Sequence, residues 1–118
     1  MGLREKEFEN KVKAFLKDRG CWVLKTWSNG VQRQGIPDLL VCCNGYFVGV
    51  ELKAEKGRPS ELQKYNIEKI RESGGIAIIL YPDKFEKFQC LIDDLIFDMP
   101  ILKHDPRLWE SQQQGFYD

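Results

Sequence analysis

Asp38, Glu51 and Lys53 are residue types that bind metal ions and phosphates, and their spacing can bring them together. Asp38 and Glu51 lie on two short apolar runs, 38–43 and 46–54, joined by Asn44-Gly45. An Asn-Gly pair between apolar runs is the strongest local signal for a two-residue hairpin turn. With that turn, Cys43 faces Tyr46, and counting outward sets Asp38 opposite Glu51. Directly opposed residues have Cβ atoms about 4.5–5.5 Å apart. Two carboxylates that close repel unless a positive charge lies between them. Lys53, two residues past Glu51, points to the same face. The set is one for a divalent metal with a cationic helper. Two carboxylates, a backbone carbonyl (Leu52 is the candidate) and waters are hard oxygen donors. They suit Mg²⁺ or Mn²⁺ and not zinc.

The hairpin carries its own check. Leu39 pairs with Val50 and Val41 with Val48 on the other face, which is apolar throughout. Phe47 and Gly49 share the face of the charged residues. The plainer alternative is a surface carboxylate pair.

The elements around the hairpin follow from periodicity. Phe8, Val12, Phe15 and Leu16 recur at helical spacing, which predicts a helix over 3–19 ended by Gly20. Residues 21–27 are rich in strand formers, and 28–37 form a loop dense in Gly and polar residues. Residues 60–73 read as a helix with Leu62, Tyr65, Ile67 and Ile70 apolar, stopped by Gly74-Gly75. The continuous apolar run 76–81 reads as a buried strand. Residues 83–97 read as a helix with Phe85, Phe88, Leu91, Ile92 and Leu95 on one side. From Asp98 the chain reads as irregular, with Pro100 and Pro106 as breakers. The order predicts an α/β fold with a mixed central sheet flanked by helices, plus a C-terminal helix and tail.

Length and composition limit the rest. A chain of 118 residues, 42% hydrophobic and 31% charged, makes one domain. We expect a single unit over 1–118, with a core at about 5–82. No apolar run nears the roughly 18 residues of a membrane helix, and the charged N-terminus does not fit a signal peptide. The expectation is a cytosolic protein. Net charge is zero, yet residues 1–58 hold 11 basic against 7 acidic side chains, and 59–118 the reverse balance of 7 to 11. The basic excess surrounds the hairpin, where it can hold phosphates. Cys21, Cys42, Cys43 and Cys90 lack zinc spacing and are expected to be small buried thiols. His104, the single histidine, lies in the tail and supports no histidine-based hydrolase.

Ile36-Pro37-Asp38, then twelve residues, then Glu51-Leu52-Lys53 resembles the PD-(D/E)XK nuclease superfamily, whose core is a restriction-endonuclease-like αβββαβ fold. Gly35-Ile36-Pro37-Asp38-Leu39-Leu40, Val50-Glu51-Leu52-Lys53-Ala54 and Ser60-x-x-Gln63 resemble the VRR-NUC nucleases, whose small stand-alone members look like virus-type Holliday junction resolvases. The similarity covers about residues 5–82.

The resemblance implies a Mg²⁺- or Mn²⁺-dependent DNA endonuclease acting on branched DNA, with Asp38, Glu51 and Lys53 catalytic. It also implies an acid in the first helix as a further metal ligand. Glu9 is the choice, because it borders the apolar stripe; Glu5 and Glu7 are alternatives. Gln63 is implied to contact the region of the metal, its water and the phosphate. Ser60 and Gln63 also fit a capping box that would fix the helix start. Lys25, Arg33, Lys56, Arg58, Ser60 and Lys64 flank the site as a rim for the DNA backbone. A four-way junction needs two paired nicks, so a symmetric homodimer is expected, with its interface after Asp83. A nuclease for flap or linear DNA, or a catalytically silent DNA-binding subunit, would share the fold.

Overall fold

The computed structural model describes residues 3–27 and 35–97. Helix α1 spans Leu3–Asp18. Strands β1 (Trp22–Lys25), β2 (Leu39–Cys43) and β3 (Tyr46–Leu52) follow. Helix α2 (Glu61–Glu72) leads to β4 (Ile76–Leu80). A 3-10 turn at Pro82–Lys84 then opens α3 (Phe85–Phe97). The first six helices and strands run in the expected αβββαβ order. The four strands form one sheet in the order β1-β2-β3-β4, with β1–β2–β3 antiparallel and β3–β4 parallel. Helix α2 is the crossover that parallel neighbours require.

Side-chain alternation sorts the layers. Leu39, Val41, Cys43, Val48, Val50 and Leu80 face one side, where Val12, Phe15 and Leu16 of α1 and Phe85, Phe88 and Ile92 of α3 complete the core. Helix α2 lies on the other side, against β3 and β4. Gly49 allows that approach: a Cβ there would stand 3.2 Å from Pro37 and 3.3 Å from Ile70.

Helix α1 ends as Gly20 predicts. Gly20 takes φ +80°, Gly20 N–H donates to Lys17 O and Cys21 N–H donates to Leu16 O, both at 3.0 Å. Several elements are shorter than expected. Strand β1 lacks Cys21, Thr26 and Trp27, β2 starts one residue after Asp38, and β3 stops at Leu52. Beyond Leu52 the chain leaves the sheet into a turn, closed by Gly57 N–H to Ala54 O at 2.9 Å.

The cysteines depart from expectation. Cys21 and Cys43 are buried, whereas Cys42 and Cys90 are exposed. Cys42 shares the sheet face on which α2 packs but lies toward β1, beyond the part that α2 covers. Among the described residues no helix is long and apolar enough to cross a membrane. The tail from Asp98, its prolines and His104 lie outside the described residues.

Candidate active site

The turn at Asn44-Gly45 places both residues at positive φ, 50° and 84°, which matches the strand twist of a tight hairpin. The register runs from Cys43↔Tyr46 to Leu39↔Val50, as expected. One further step sets Asp38 opposite Glu51. Thr26 N–H donates to Asp38 O at 2.9 Å and fixes the Asp38 backbone from the β1 side. The Asp38 Oδ2 accepts from Leu52 N–H at 2.9 Å, which orients the carboxylate along the end of β3.

Glu51 is only 2% exposed. It shares a face with Gly49, and α2 covers that part of the face, so Glu51 is not a solvated surface acid, whereas Asp38 stays partly exposed. Gln63 Nε2 donates to Glu51 Oε1 at 3.1 Å, and Lys53 Nζ lies 3.7 Å from the same oxygen. Glu51 Oε2 is buried with no hydrogen-bond partner among the described residues. Burial, then the adjacent Asp38 carboxyl, pushes Glu51 up to about 8 against the pull of Lys53 and Lys25. Added positive charge beside such an acid favours its ionised form. An orphaned buried oxygen beside a second carboxylate is what a divalent cation with hard-oxygen preference would take up, so the residues fit such a metal.

Gln63 has two functions at once. Its N–H donates to Ser60 Oγ at 3.1 Å and its side-chain Oε1 accepts from Ser60 N–H at 2.8 Å, which completes the capping box. That leaves the side-chain NH₂ for Glu51. The helix start thus delivers a donor to the buried acid.

Glu9 is fully buried in α1 and lies among three lysines. Lys25 Nζ is 2.6 Å away, Lys6 Nζ 3.3 Å and Lys13 Nζ 3.6 Å. Burial alone would raise its pKa, but the hydrogen bonds and charges of Lys25 and Lys6 outweigh it and hold Glu9 below its ordinary value. Lys25 also comes within 3.9 Å of Asp38 Oδ1. It links the first-helix acid to the hairpin instead of lying free on a DNA rim. No three His, Cys, Asp or Glu side chains among the described residues group closely enough to hold a metal ion. Glu9 therefore stands at one remove from the pair, through Lys25. Glu5 and Glu7 are exposed on the first turns of α1.

Asp38, Glu51, Leu52, Lys53 and Gln63 open onto a cleft of about 1440 Å³. Lys56 and Arg58 form one wall, and Tyr81 Oη braces their turn by donating to Gly57 O at 2.9 Å. Ser60 is exposed at the start of α2. Lys64 is exposed too, but it pairs with Glu61 at 3.1 Å and does not line the cleft. Arg33 lies outside the described residues.

Sequence reasoning missed Arg4, Phe8 and the corner Tyr81–Lys84, which line the same cleft. They meet the motif only through the fold and carry no local signal. It also missed Lys6 and Lys13 as partners of Glu9, though their spacing of three and four residues on a helix was visible.

A search of curated proteins finds no match to this sequence. The family described as archaeal Holliday junction resolvase (Hjc), within the PD-(D/E)XK nuclease superfamily, matches residues 3–89. That span contains the hairpin, its turn, the capped helix and the cleft, so the chain belongs to the archaeal Holliday junction resolvase (Hjc) family.

Proposed function

We propose that this protein is a divalent-metal-dependent endodeoxyribonuclease that cuts branched DNA, four-way junctions above all. The observation that carries the reading is Glu51. A buried carboxylate, one oxygen of which has no hydrogen-bond partner among the described residues, lies beside Asp38 in the lining of an open cleft, in a chain of a resolvase family.

Resolvase nucleases of this superfamily use divalent metals, and hard-oxygen donors favour Mg²⁺ or Mn²⁺ here. Asp38, Glu51 and the Leu52 carbonyl would hold the ion. When bound, it supplies Lewis-acid charge and makes a water more acidic. Lys53 places a cation beside the phosphate as charge builds on its oxygens. Gln63 keeps Glu51 oriented, and Glu9 with Lys25 fixes the Asp38 side of the hairpin. Lys56 and Arg58 line the path for backbone phosphates, whose contacts position DNA without reading sequence. The motif run from Gly35 to Leu40 with Ser60-x-x-Gln63 supports a finer placement beside the VRR-NUC nucleases. The reading includes a single nuclease domain working in the cytosol as a homodimer.

The test is a panel of labelled substrates (four-way junction, flap, nicked and linear duplex) in EDTA, Mg²⁺ and Mn²⁺. Junction cleavage that needs metal is expected. Equal or better cleavage of flap or linear DNA would move the protein to repair-type nucleases. Binding without cleavage in either metal would make it a silent DNA-binding subunit.

A further inference from the structure

Two thiols with no part in the cleft lie together at the turn end of β1 and β2. The ladder ends at Trp22↔Cys42, and Cys21 and Cys43 stand one step beyond it, within thiol–thiol hydrogen-bonding reach. Hydrogen-bonded and non-hydrogen-bonded pairs alternate along an antiparallel ladder. Thr26 N–H bonds to Asp38 O, which makes that opposed pair a hydrogen-bonded one. Continued by one step, that register sets Cys21 and Cys43, an odd number of steps away, at a non-hydrogen-bonded position, and Cys21 N–H accordingly bonds to Leu16 O instead. Cα atoms in such pairs sit about 4.5 Å apart, with side chains close together. That is inside the roughly 4.4–6.8 Å that a disulfide spans.

Both ends are also fixed. Cys21 N–H is held by Leu16 O at the close of α1, and Cys43 precedes the Asn44-Gly45 turn. Both side chains are buried, Cys21 at 8% exposure and Cys43 at none. Burial, then the hydrogen bond with the Cys21 thiol, pushes Cys43 up to about 12.

We propose that Cys21 and Cys43 form a cross-strand disulfide site, closed by a small-molecule disulfide of the glutathione type. Cys21, the less buried thiol, loses its proton and attacks the oxidant's S–S bond, releasing one glutathione thiolate. Cys43 then loses its proton and attacks the mixed disulfide at the Cys21 sulfur. The Cys21–Cys43 bond forms and a second glutathione thiolate leaves. The protein loses two electrons and two protons, and the oxidant is reduced to two thiols. The bond closes the loop that holds Lys25 and Asp38, so it restricts the unfolded chain most where the site is built. It lies at the hairpin-turn end of the strands, away from the cleft. It therefore raises stability and leaves the active site unchanged.

Exposed Cys42 and Cys90 would take up glutathione, so the test uses the Cys42→Ser/Cys90→Ser chain. It is refolded from urea in oxidised glutathione or in reductant, which gives the buried pair access to the oxidant. Oxidation is expected to leave no titratable thiol and a mass about 2 Da lower, the loss of two hydrogens. A Cys21–Cys43 linked peptide is expected, with an unfolding midpoint higher on the order of 10 °C and reversible by phosphine. Adding Cys21→Ser should remove both the mass loss and the shift. Two free thiols after refolding, glutathione adducts without a link, or a lower midpoint on oxidation would overturn the proposal.

Discussion

Glu51 is held between opposing demands. Burial and Asp38 favour its protonated form, whereas Lys53 and Lys25 favour the anion. Its raised pKa fixes the sign of a pH effect. Between its ordinary value of 4.5 and about 8, the folded chain binds more protons at this site than the unfolded chain does. Its contribution to stability is complete below the lower value and is lost as pH rises through about 8. In EDTA, the urea midpoint should fall between pH 5 and pH 8, and Glu51→Gln should flatten that fall. Glu9 does not confuse the window, because its shift is downward and acts below its ordinary value. Added Mg²⁺ at pH 8 should restore the lost stability, since it binds the folded form. Asp38→Asn and Glu51→Gln should each abolish metal-dependent cleavage; full activity in either would remove that residue from the site. In the proposed mechanism Lys53 acts on the phosphate and not as a ligand, so Lys53→Ala should cut turnover roughly 10²-fold or more. Calorimetric metal affinity should stay close to that of the unaltered chain. A large loss of metal binding would reassign Lys53 to the metal.

The start of α2 couples local structure to the site, and two variants separate its roles. Ser60→Ala removes one cap bond and should lower stability by about 1 kcal/mol while cleavage persists. Gln63→Ala removes the reciprocal cap and also the donor to Glu51, so it should lower both stability and activity. Equal cleavage by the two variants would show that Gln63 serves the helix alone. Most of this element was legible in sequence: Ser-x-x-Gln names the cap, and Asn44-Gly45 with alternating apolar residues names the hairpin and its register. The position of α2 over the carboxylate face was not legible. Its own stripe of Leu62, Tyr65, Ile67 and Ile70 says that it packs, but not on which side of the sheet. Gly49 and Pro37 form the bed for it only once three strands are assembled. Lys25 reads as one more surface cation until β1 lies beside α1 and turns it toward Glu9. The cysteines were misjudged for a related reason: alternation sends Cys42 and Cys43 to opposite faces, but only the uncovered half of the sheet leaves Cys42 exposed.

That uncovered half matters for the whole molecule. Helix α2 packs on β4 and on part of β3, and it leaves Trp22 60% exposed, Leu24 46% and, at the start of β3, Phe47 43%. Trp22, Cys42 and Phe47 form a row across β1, β2 and β3, with Leu24 and Leu40 in the next row. A continuous apolar sheet face of this kind is unusual on an isolated chain and suits association. Of the region after Asp83 expected to supply the interface, Phe85 and Phe88 are buried in the chain's own core and Ile96 packs against it, Phe97 is 79% exposed, and residues 98–118 lie outside those described. The sheet face offers a second basis for the proposed homodimer, since one chain would carry one site and paired nicks need two. A two-fold dimer through this face would be self-complementary, with the same aromatic row meeting its copy. Light scattering at micromolar concentration should therefore give about twice the 13.8 kDa chain mass. Trp22→Glu places a charge where the side chain is already exposed, so each chain should keep its fold while the mass falls to that of one chain. Paired cutting of a four-way junction should fall with it, leaving single nicks. A mass near one chain before any substitution, unchanged by junction DNA, would reject the dimer. Unaltered dimerisation in Trp22→Glu would move the interface off this face.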